Sequence, residues 1–99
     1  MSETGQNIST NDRSFSLEVS NKMGIHARPA AMIVRISSRY TGNIWIKKED
    51  EKVNAKSIMG VMMLAAAKGT ILTFSTDSSD SENFEQEMTA LFNSKFQDE

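Results

Sequence analysis

One stretch of this 99-residue chain combines residue types that are suited to phosphoryl chemistry. The only histidine, His26, lies directly before Ala27, Arg28 and Pro29, and Pro29 is the only proline. Proline fits the first turn of a helix because the N–H that it lacks would be unpaired there. The sequence therefore predicts a helix that begins near residues 27–29 and directs its free amides and positive dipole end toward the imidazole.

This placement favours a nucleophilic imidazole. The helix dipole and the Arg28 guanidinium both disfavour a charged ring and so favour the neutral form, which can attack. A phosphoryl group on a ring nitrogen of His26 would then meet the helix amides and the planar fork of the arginine. We expect no metal and no cofactor. The alternative at this point is that His26 is a residue of the capping loop with no chemical role.

Composition narrows the class of protein. Charged residues make up 24% of the chain and the formal net charge is −2, so no basic surface favours nucleic acid as a partner. The chain has no cysteine, which excludes disulfides and cysteine metal sites. It also has no apolar stretch long enough to span a membrane. Residues 1–12 are polar and lack the order of a secretion signal. We expect one cytoplasmic domain over residues 13–99 that follows a disordered extension over residues 1–12.

Hydrophobic periodicity predicts the elements that must position His26. Phe15, Leu17 and Val19 alternate with polar residues, as in a strand with one buried face. The helix after His26 ends before Gly42. Strands are then predicted over residues 43–48 and 52–55, a second helix over residues 57–68, and a strand over residues 70–76.

The last segment carries the strongest helical pattern. Its apolar residues recur at steps of three and four on one face, namely Phe84, Met88, Leu91, Phe92 and Phe96. Ser79 with Glu82 three residues later predicts a capping box at the start of this helix. The resulting order is βαββαβα. Because half-polar strands leave one sheet face to water, we expect an α+β two-layer sandwich whose helices all cover the other face.

A second candidate site lies at the start of the predicted helix over residues 57–68. Ser57 has the place of an N-cap, which is the usual role of a serine there. An amphipathic helix buries one face, and the candidates for that face are Val61, Leu64 and Ala65. The other side would then expose an apolar patch beside Ser57, formed by Ile58, Met59 and Met62. Methionine-rich surfaces of this kind adapt to several partners, although such methionines can also belong to the core.

These motifs resemble the HPr family, the histidine-containing phosphocarriers of the phosphoenolpyruvate-dependent sugar phosphotransferase system. The resemblance rests on GIHARPA at residues 24–30, VNAKSIMGVM at residues 53–62 and AKG at residues 67–69, and it extends from residue 14 to about residue 95. It implies the open-faced sandwich of that family, with a four-stranded antiparallel sheet and three helices on one face. By position, it implies that His26 accepts a phosphoryl group from phosphoenolpyruvate-charged enzyme I and passes it to sugar-specific enzyme II components.

The resemblance also assigns roles to the neighbours of His26 and to Ser57. Arg28 matches the arginine beside the histidine, where it would stabilise the phosphoryl group, and Pro29 matches the proline of the same motif. Ser57 matches the serine that HPr kinase/phosphorylase modifies with ATP in Gram-positive and related bacteria. Phosphate on Ser57 would be tolerated by the helix amides and Lys56, and its charge would weaken docking to enzyme I.

Two functions remain open from the sequence. The first is a phosphoryl carrier in sugar uptake, a relay rather than an enzyme in its own right, with enzyme I and enzyme II A components as partners. The second is a regulatory interaction module that acts mainly through Ser57 phosphorylation, with the kinase and a transcriptional regulator as partners. The sequence departs from the family pattern at Met23 and at residues 49–51. At residues 49–51 we expect a longer or looser hairpin turn.

Overall fold

Four strands and three helices follow one another in the predicted order in the computed structural model, which describes residues 12–97. The elements are β1 (Arg13–Glu18), α1 (Ala27–Ser38), β2 (Ile44–Lys48), β3 (Glu51–Asn54), α2 (Ile58–Met63), β4 (Ile71–Thr76) and α3 (Ser81–Asn93), followed by a 3-10 turn at Lys95–Gln97. The expected extension over residues 1–12 lies, except for Asp12, outside the described residues. None of the described helices is long and apolar enough to cross a membrane.

The strands form one antiparallel sheet in the order β1-β4-β2-β3. Alternation decides which side of each strand is buried: Phe15, Phe74, Ile46 and Val53 lie in one row across the sheet and pack in or against the core. Apart from Trp45, the neighbouring rows are polar and face away from the core; in one of them the hydroxyls of Ser16 and Thr73 hydrogen-bond at 2.8 Å. The open-faced sandwich is thereby confirmed.

An aromatic cluster joins the sheet to the helices. Phe74 of β4 stacks on Phe15 and meets Phe84 and Phe92 of α3 edge to face. The Tyr40 ring, which follows α1, also meets Phe84 edge to face, with ring centroids 5.3 Å apart. The helices are therefore held on one face of the sheet by a shared apolar layer.

A polar cluster ties the far end of α1 to α3. The Tyr40 hydroxyl donates to Glu87 Oε1 at 2.7 Å, and the Arg39 guanidinium pairs with Glu87 Oε2. The bond from Arg39 lowers the pKa of the Glu87 carboxyl, and the bond from Tyr40 acts in the same direction. Burial, with the bond to Glu87, raises the pKa of Tyr40 to about 12.

The predicted helix over residues 57–68 is wrong in its length, because α2 ends at Met63. Leu64 is its C-cap, and Ala65 adopts a left-handed conformation with φ of 50°. Two contacts from other elements use carbonyls of this segment: Lys48 Nζ donates to Leu64 O at 2.8 Å, and Ile25 N donates to Ala66 O at 2.9 Å. As a result Ala65, predicted to be buried, is exposed, and Ala66 is buried instead.

Two further local predictions are wrong. The N-cap of α3 is Asp80 rather than Ser79, and its side chain makes no capping hydrogen bond, so the predicted capping box does not form. The turn between β2 and β3 is not lengthened: Lys48 pairs with Glu51, which leaves a turn of two residues with Glu49 at a φ of 53°. The strand pairing sets this turn, and Glu49 accepts a left-handed conformation that favours glycine or asparagine.

The apolar stripe of the last segment is buried throughout, but its end is not helical. The helix α3 ends at Asn93, and Phe96 reaches the core from a turn in which Lys95, Phe96 and Gln97 all have positive φ. Burial of the Phe96 ring against Phe92, with centroids 4.8 Å apart, accompanies this left-handed conformation. The chain therefore turns back toward the start of α1.

Candidate functional site

His26 is the N-cap of α1, as the sequence predicts. Its backbone is extended, with φ of −92° and ψ of −166°, and its carbonyl accepts the first helical hydrogen bond from Ala30 N at 3.0 Å. The half-buried imidazole makes no capping hydrogen bond. Pro29 is buried in the first turn, where its missing N–H costs no bond because the helical ladder begins at Ala30.

The loop before His26 is held against the turn that follows α2. Ile25 N donates to Ala66 O at 2.9 Å, and His26 N donates to Gly24 O at 3.1 Å. Gly24 has a φ of 73°, and a Cβ atom on it would lie 2.7 Å from Ala66 O. Glycine is therefore required here both by the backbone conformation and by the close approach of the carbonyl.

The Arg28 guanidinium is directed toward the end of the described chain. Its Nη2 donates to Phe96 O at 2.8 Å and to Gln97 O at 3.1 Å, and Nη1 lies 3.4 Å from the Met32 sulfur. Two of the bonds that the fork makes thus reach carbonyls of the left-handed turn 95–97. No local pattern predicts these partners, because they lie 68 and 69 positions along the chain.

Ser57 caps α2 as predicted. Its Oγ accepts from Gly60 N at 3.0 Å, which pairs one of the amides at the helix start. The Lys56 ammonium points elsewhere: it donates to Tyr40 O at 2.7 Å and to Gly42 O at 3.0 Å. In this structure Lys56 therefore stabilises the segment after α1.

The apolar side chains predicted to be exposed on α2 are exposed. The exposed fractions are 45% for Ile58, 72% for Met59 and 39% for Met62, while Val61 and Leu64 are buried. Met63, which the sequence did not single out, is 70% exposed because α2 ends there. We call Ile58, Met59, Met62 and Met63 the α2 patch. The turn that follows α2 contacts the His26 loop through the bond from Ile25 N to Ala66 O.

The loop before His26 contains a fully buried asparagine that the sequence prediction does not include. Asn21 has no exposed surface, and its Nδ2 donates to Gly24 O at 2.8 Å. The signal was present, since asparagine is among the residues that hydrogen-bond the backbone of a turn a few residues ahead.

Known proteins that are similar to this chain are small phosphocarrier domains. The family model described as "PTS HPr component phosphorylation site" matches residues 13–94. The phosphocarrier protein HPr of Neisseria meningitidis serogroup A is 43% identical over 81 residues, which cover 82% of this chain and 91% of that protein. The HPr-like protein Crh of Halalkalibacterium halodurans is 43% identical over 75 residues, which cover 76% and 89% of the two chains.

Solved structures agree with these relatives. The crystal structure of HPr from Thermoanaerobacter tengcongensis matches with a TM-score of 0.82 at 40% identity and covers 88% of this chain and 98% of that one. The chain belongs to the HPr family. This membership supports a phosphocarrier function in the phosphotransferase system, with proteins of that system such as enzyme I and enzyme II as partners.

Proposed function

We propose that this protein carries phosphoryl groups on His26 from phosphoenolpyruvate-charged enzyme I to sugar-specific enzyme II A components in the cytoplasm. The observation that carries the proposal is the placement of His26 at the start of α1. Its carbonyl accepts the first helical hydrogen bond, its N–H donates to Gly24 O, and the preceding Ile25 N–H donates to Ala66 O. A half-buried imidazole on a fixed backbone meets the requirement of positioning for reversible chemistry on its ring.

In the transfer step, an imidazole nitrogen of His26 attacks phosphorus. The N–P bond on His26 forms as the bond from phosphorus to the enzyme I donor breaks, and the donor leaves with that electron pair. Transfer to the enzyme II A acceptor is the same step in the other direction. Positioning and charge stabilisation are what such a step requires of the protein.

Arg28 is the residue that supplies this charge. We assign it a change of partners, in which the guanidinium leaves the neutral carbonyls of Phe96 and Gln97 for the phosphoryl oxygens. The guanidinium exchanges neutral acceptors for anionic oxygens that it can bind with two parallel N–H···O bonds, so the exchange favours the phosphorylated state. Pro29 contributes by starting α1 at a fixed place relative to His26.

The α2 patch is assigned to docking of enzyme I and the enzyme II A components. Four exposed apolar side chains on one six-residue helix are more than the scattered exposed apolar residues that a surface ordinarily carries, which supports a docking role. Methionine side chains are flexible and polarisable, which suits a surface that binds several partners in turn.

Ser57 is assigned to regulation, with HPr kinase/phosphorylase as the partner that modifies it. The residue is half-buried and lies next to Ile58, so a phosphate on it would add about −1.5 to −2 charges beside the α2 patch. That charge would weaken apolar docking to enzyme I and favour a partner that presents a cation, such as a transcriptional regulator. Crh of Bacillus subtilis, described as the catabolite repression HPr, is 38% identical to this chain and favours keeping this regulatory module as a second function.

One labelling experiment tests the carrier proposal. The protein is incubated with enzyme I and phosphoenolpyruvate, and the modified residue is mapped before and after acid treatment. We expect one phosphoryl group on His26 that acid removes, and none in a His26→Gln control. A label that survives acid, or its absence from His26 in the wild-type chain, would contradict the proposal.

Regulation is tested by the rate of the same reaction. We expect Ser57→Asp to slow the phosphorylation of His26 by enzyme I, while Ser57→Ala, which removes the cap without adding charge, leaves the rate near that of the wild type. An unchanged rate in Ser57→Asp would remove the proposed switch.

A further inference from the structure

We infer that Asn21 is a positioning residue for phosphoryl transfer: its buried side-chain amide holds the Gly24 carbonyl and, through that carbonyl, the backbone of His26. The inference rests on the proposed function, because it names a residue that prepares the same site.

The geometry joins Asn21 to His26 through one atom. The Gly24 carbonyl oxygen accepts from Asn21 Nδ2 at 2.8 Å and from His26 N at 3.1 Å. Gly24 N in turn donates to Asn21 O at 3.3 Å, so the backbone and the side chain of Asn21 both hold Gly24. A rotation of the peptide after Gly24 would break the bond to His26 as well as the bond to Asn21.

Burial makes the amide an effective clamp. Asn21 is fully buried, so its hydrogen bond to Gly24 does not compete with water. Burying a polar side chain costs free energy unless its hydrogen bonds form. If packing alone were needed at this position, an apolar residue would serve better than asparagine.

The other side of the loop is fixed independently. The Ala66 carbonyl binds Ile25 N and leaves no room for a side chain on Gly24. Ala66 therefore determines how closely the loop approaches the turn after α2, and Asn21 determines the orientation of the Gly24 carbonyl. Both are needed to define the extended backbone of His26, from which the imidazole projects.

Small displacements matter for this reaction. A misplacement of about 1 Å of a reacting group can reduce a rate by about 100-fold, because the attacking and leaving atoms must be aligned. Docking, in contrast, depends on the α2 patch, which Asn21 does not contact in the hydrogen bonds described. A positioning role for Asn21 therefore predicts an effect on the maximum rate and little effect on the concentration needed for half-maximum rate.

The test measures the rate at which enzyme I phosphorylates the full chain as the concentration of the chain is varied. We expect Asn21→Ala to lower kcat by about tenfold or more while KM stays within about twofold of the wild type. The control is Phe84→Leu, which alters the core at α3. The ring contacts of Phe84 are with Phe15, Tyr40 and Phe74, which all lie outside the loop before His26. Both variants are assayed below their unfolding midpoints; if Asn21→Ala does not fold, Asn21→Ser takes its place, since its hydroxyl is too short to reach Gly24.

The rate of hydrogen exchange at the His26 backbone amide, measured by NMR, reports how firmly the loop is held. We expect exchange to accelerate in the Asn21 variant beyond the acceleration in Phe84→Leu. An unchanged kcat in a folded Asn21 variant would overturn the inference, as would an equal loss of kcat in Phe84→Leu. Failure of the proposed function looks different, because the wild-type chain itself would then accept no phosphoryl group on His26.

Discussion

The starts of α1 and α2 differ in how they are held, although both helices begin with backbone amides that have no partner within the helix. At α2, the Ser57 hydroxyl accepts from Gly60 N and so takes part in the helix. At α1, the His26 side chain makes no capping bond, and the backbone is instead held by the Gly24 carbonyl and by the contact of Ile25 with Ala66. One helix start uses its side chain for stability, and the other leaves stability to the backbone.

The difference indicates how the two sites are expected to respond to change. Modification of Ser57 alters a group that already has a structural role, so its effects combine local stability with surface charge. On the proposed function, phosphorylation of His26 alters a side chain that makes no capping hydrogen bond, so it should leave the start of α1 in place. A site that must cycle rapidly benefits from this separation.

The largest expected effect separates the two sites by activity. Replacing His26 by alanine should abolish phosphoryl acceptance, because the nucleophile is removed, whereas Ser57→Ala should accept close to one group per chain. Intact mass after incubation with enzyme I and phosphoenolpyruvate measures both. Full labelling of the His26 variant would place the acceptor elsewhere and end the comparison.

The next effect concerns docking at the second site. A negative charge on the α2 patch, introduced by Met59→Glu, should raise KM for phosphorylation by enzyme I about tenfold, which is the loss of about 1.4 kcal/mol of binding. The matched control is Ile71→Glu on the open sheet face, since Ile71 is also an exposed apolar residue, at 53%. Equal effects of the two substitutions would mean that the α2 patch has no special part in docking.

Two glycines test how tightly the His26 loop is fixed. Gly24→Ala places a Cβ 2.7 Å from Ala66 O at a φ of 73°, whereas Gly69→Ala meets nothing within 4 Å at a φ of 95°. Conformational strain should cost each variant about 1–2 kcal/mol of unfolding free energy, and overlap should cost Gly24→Ala about 1–3 kcal/mol more. Urea unfolding measures the difference, and equal losses would show that the approach to Ala66 is not a constraint.

A smaller effect compares the caps themselves. Ser57→Ala should lower the unfolding free energy by about 1 kcal/mol because the bond to Gly60 N is lost. The corresponding loss in His26→Ala should be within about 0.5 kcal/mol, since no capping bond is removed. If the His26 variant is the less stable of the two, the imidazole has a structural role and the separation argued above does not hold.

The smallest effect is expected at the opposite end of α1. The pKa of Glu87 is lowered in the folded protein, chiefly by the bond from Arg39, so its carboxylate adds stability above the unfolded pKa of about 4.3. This contribution is lost as the pH falls through the lower folded pKa. For a pair this exposed it should amount to less than about 1 kcal/mol. Urea unfolding of the wild type and Glu87→Gln at pH 7 and pH 3 should show a larger gap between them at pH 7; a constant gap would contradict it.

Local rules were sufficient for most of the fold. Alternation in β1 identified its buried face, and the place of Pro29 identified the start of α1, because these features depend on neighbouring residues alone. Ser57 was recognised as a cap for the same reason. The exposed side of α2 also followed from the spacing of its apolar residues.

What could not be predicted depends on contacts between distant residues. No residue in the segment after Met63 signals a helix end, and the bonds from Lys48 and Ile25 to its carbonyls come from other elements. The partners of Arg28 could not be predicted for the same reason. Asn21 is an intermediate case, because its type suggests a turn contact while its complete burial is a property of the fold.

The contact between Arg28 and the carbonyls of Phe96 and Gln97 has a consequence for synthesis on the ribosome. His26 and Arg28 are translated early, but the acceptors of this guanidinium are among the last described residues to be added. A nascent chain that has just exposed its histidine therefore lacks part of the environment of the site. The site is expected to reach its final form only after Phe96 and Gln97 have left the ribosome.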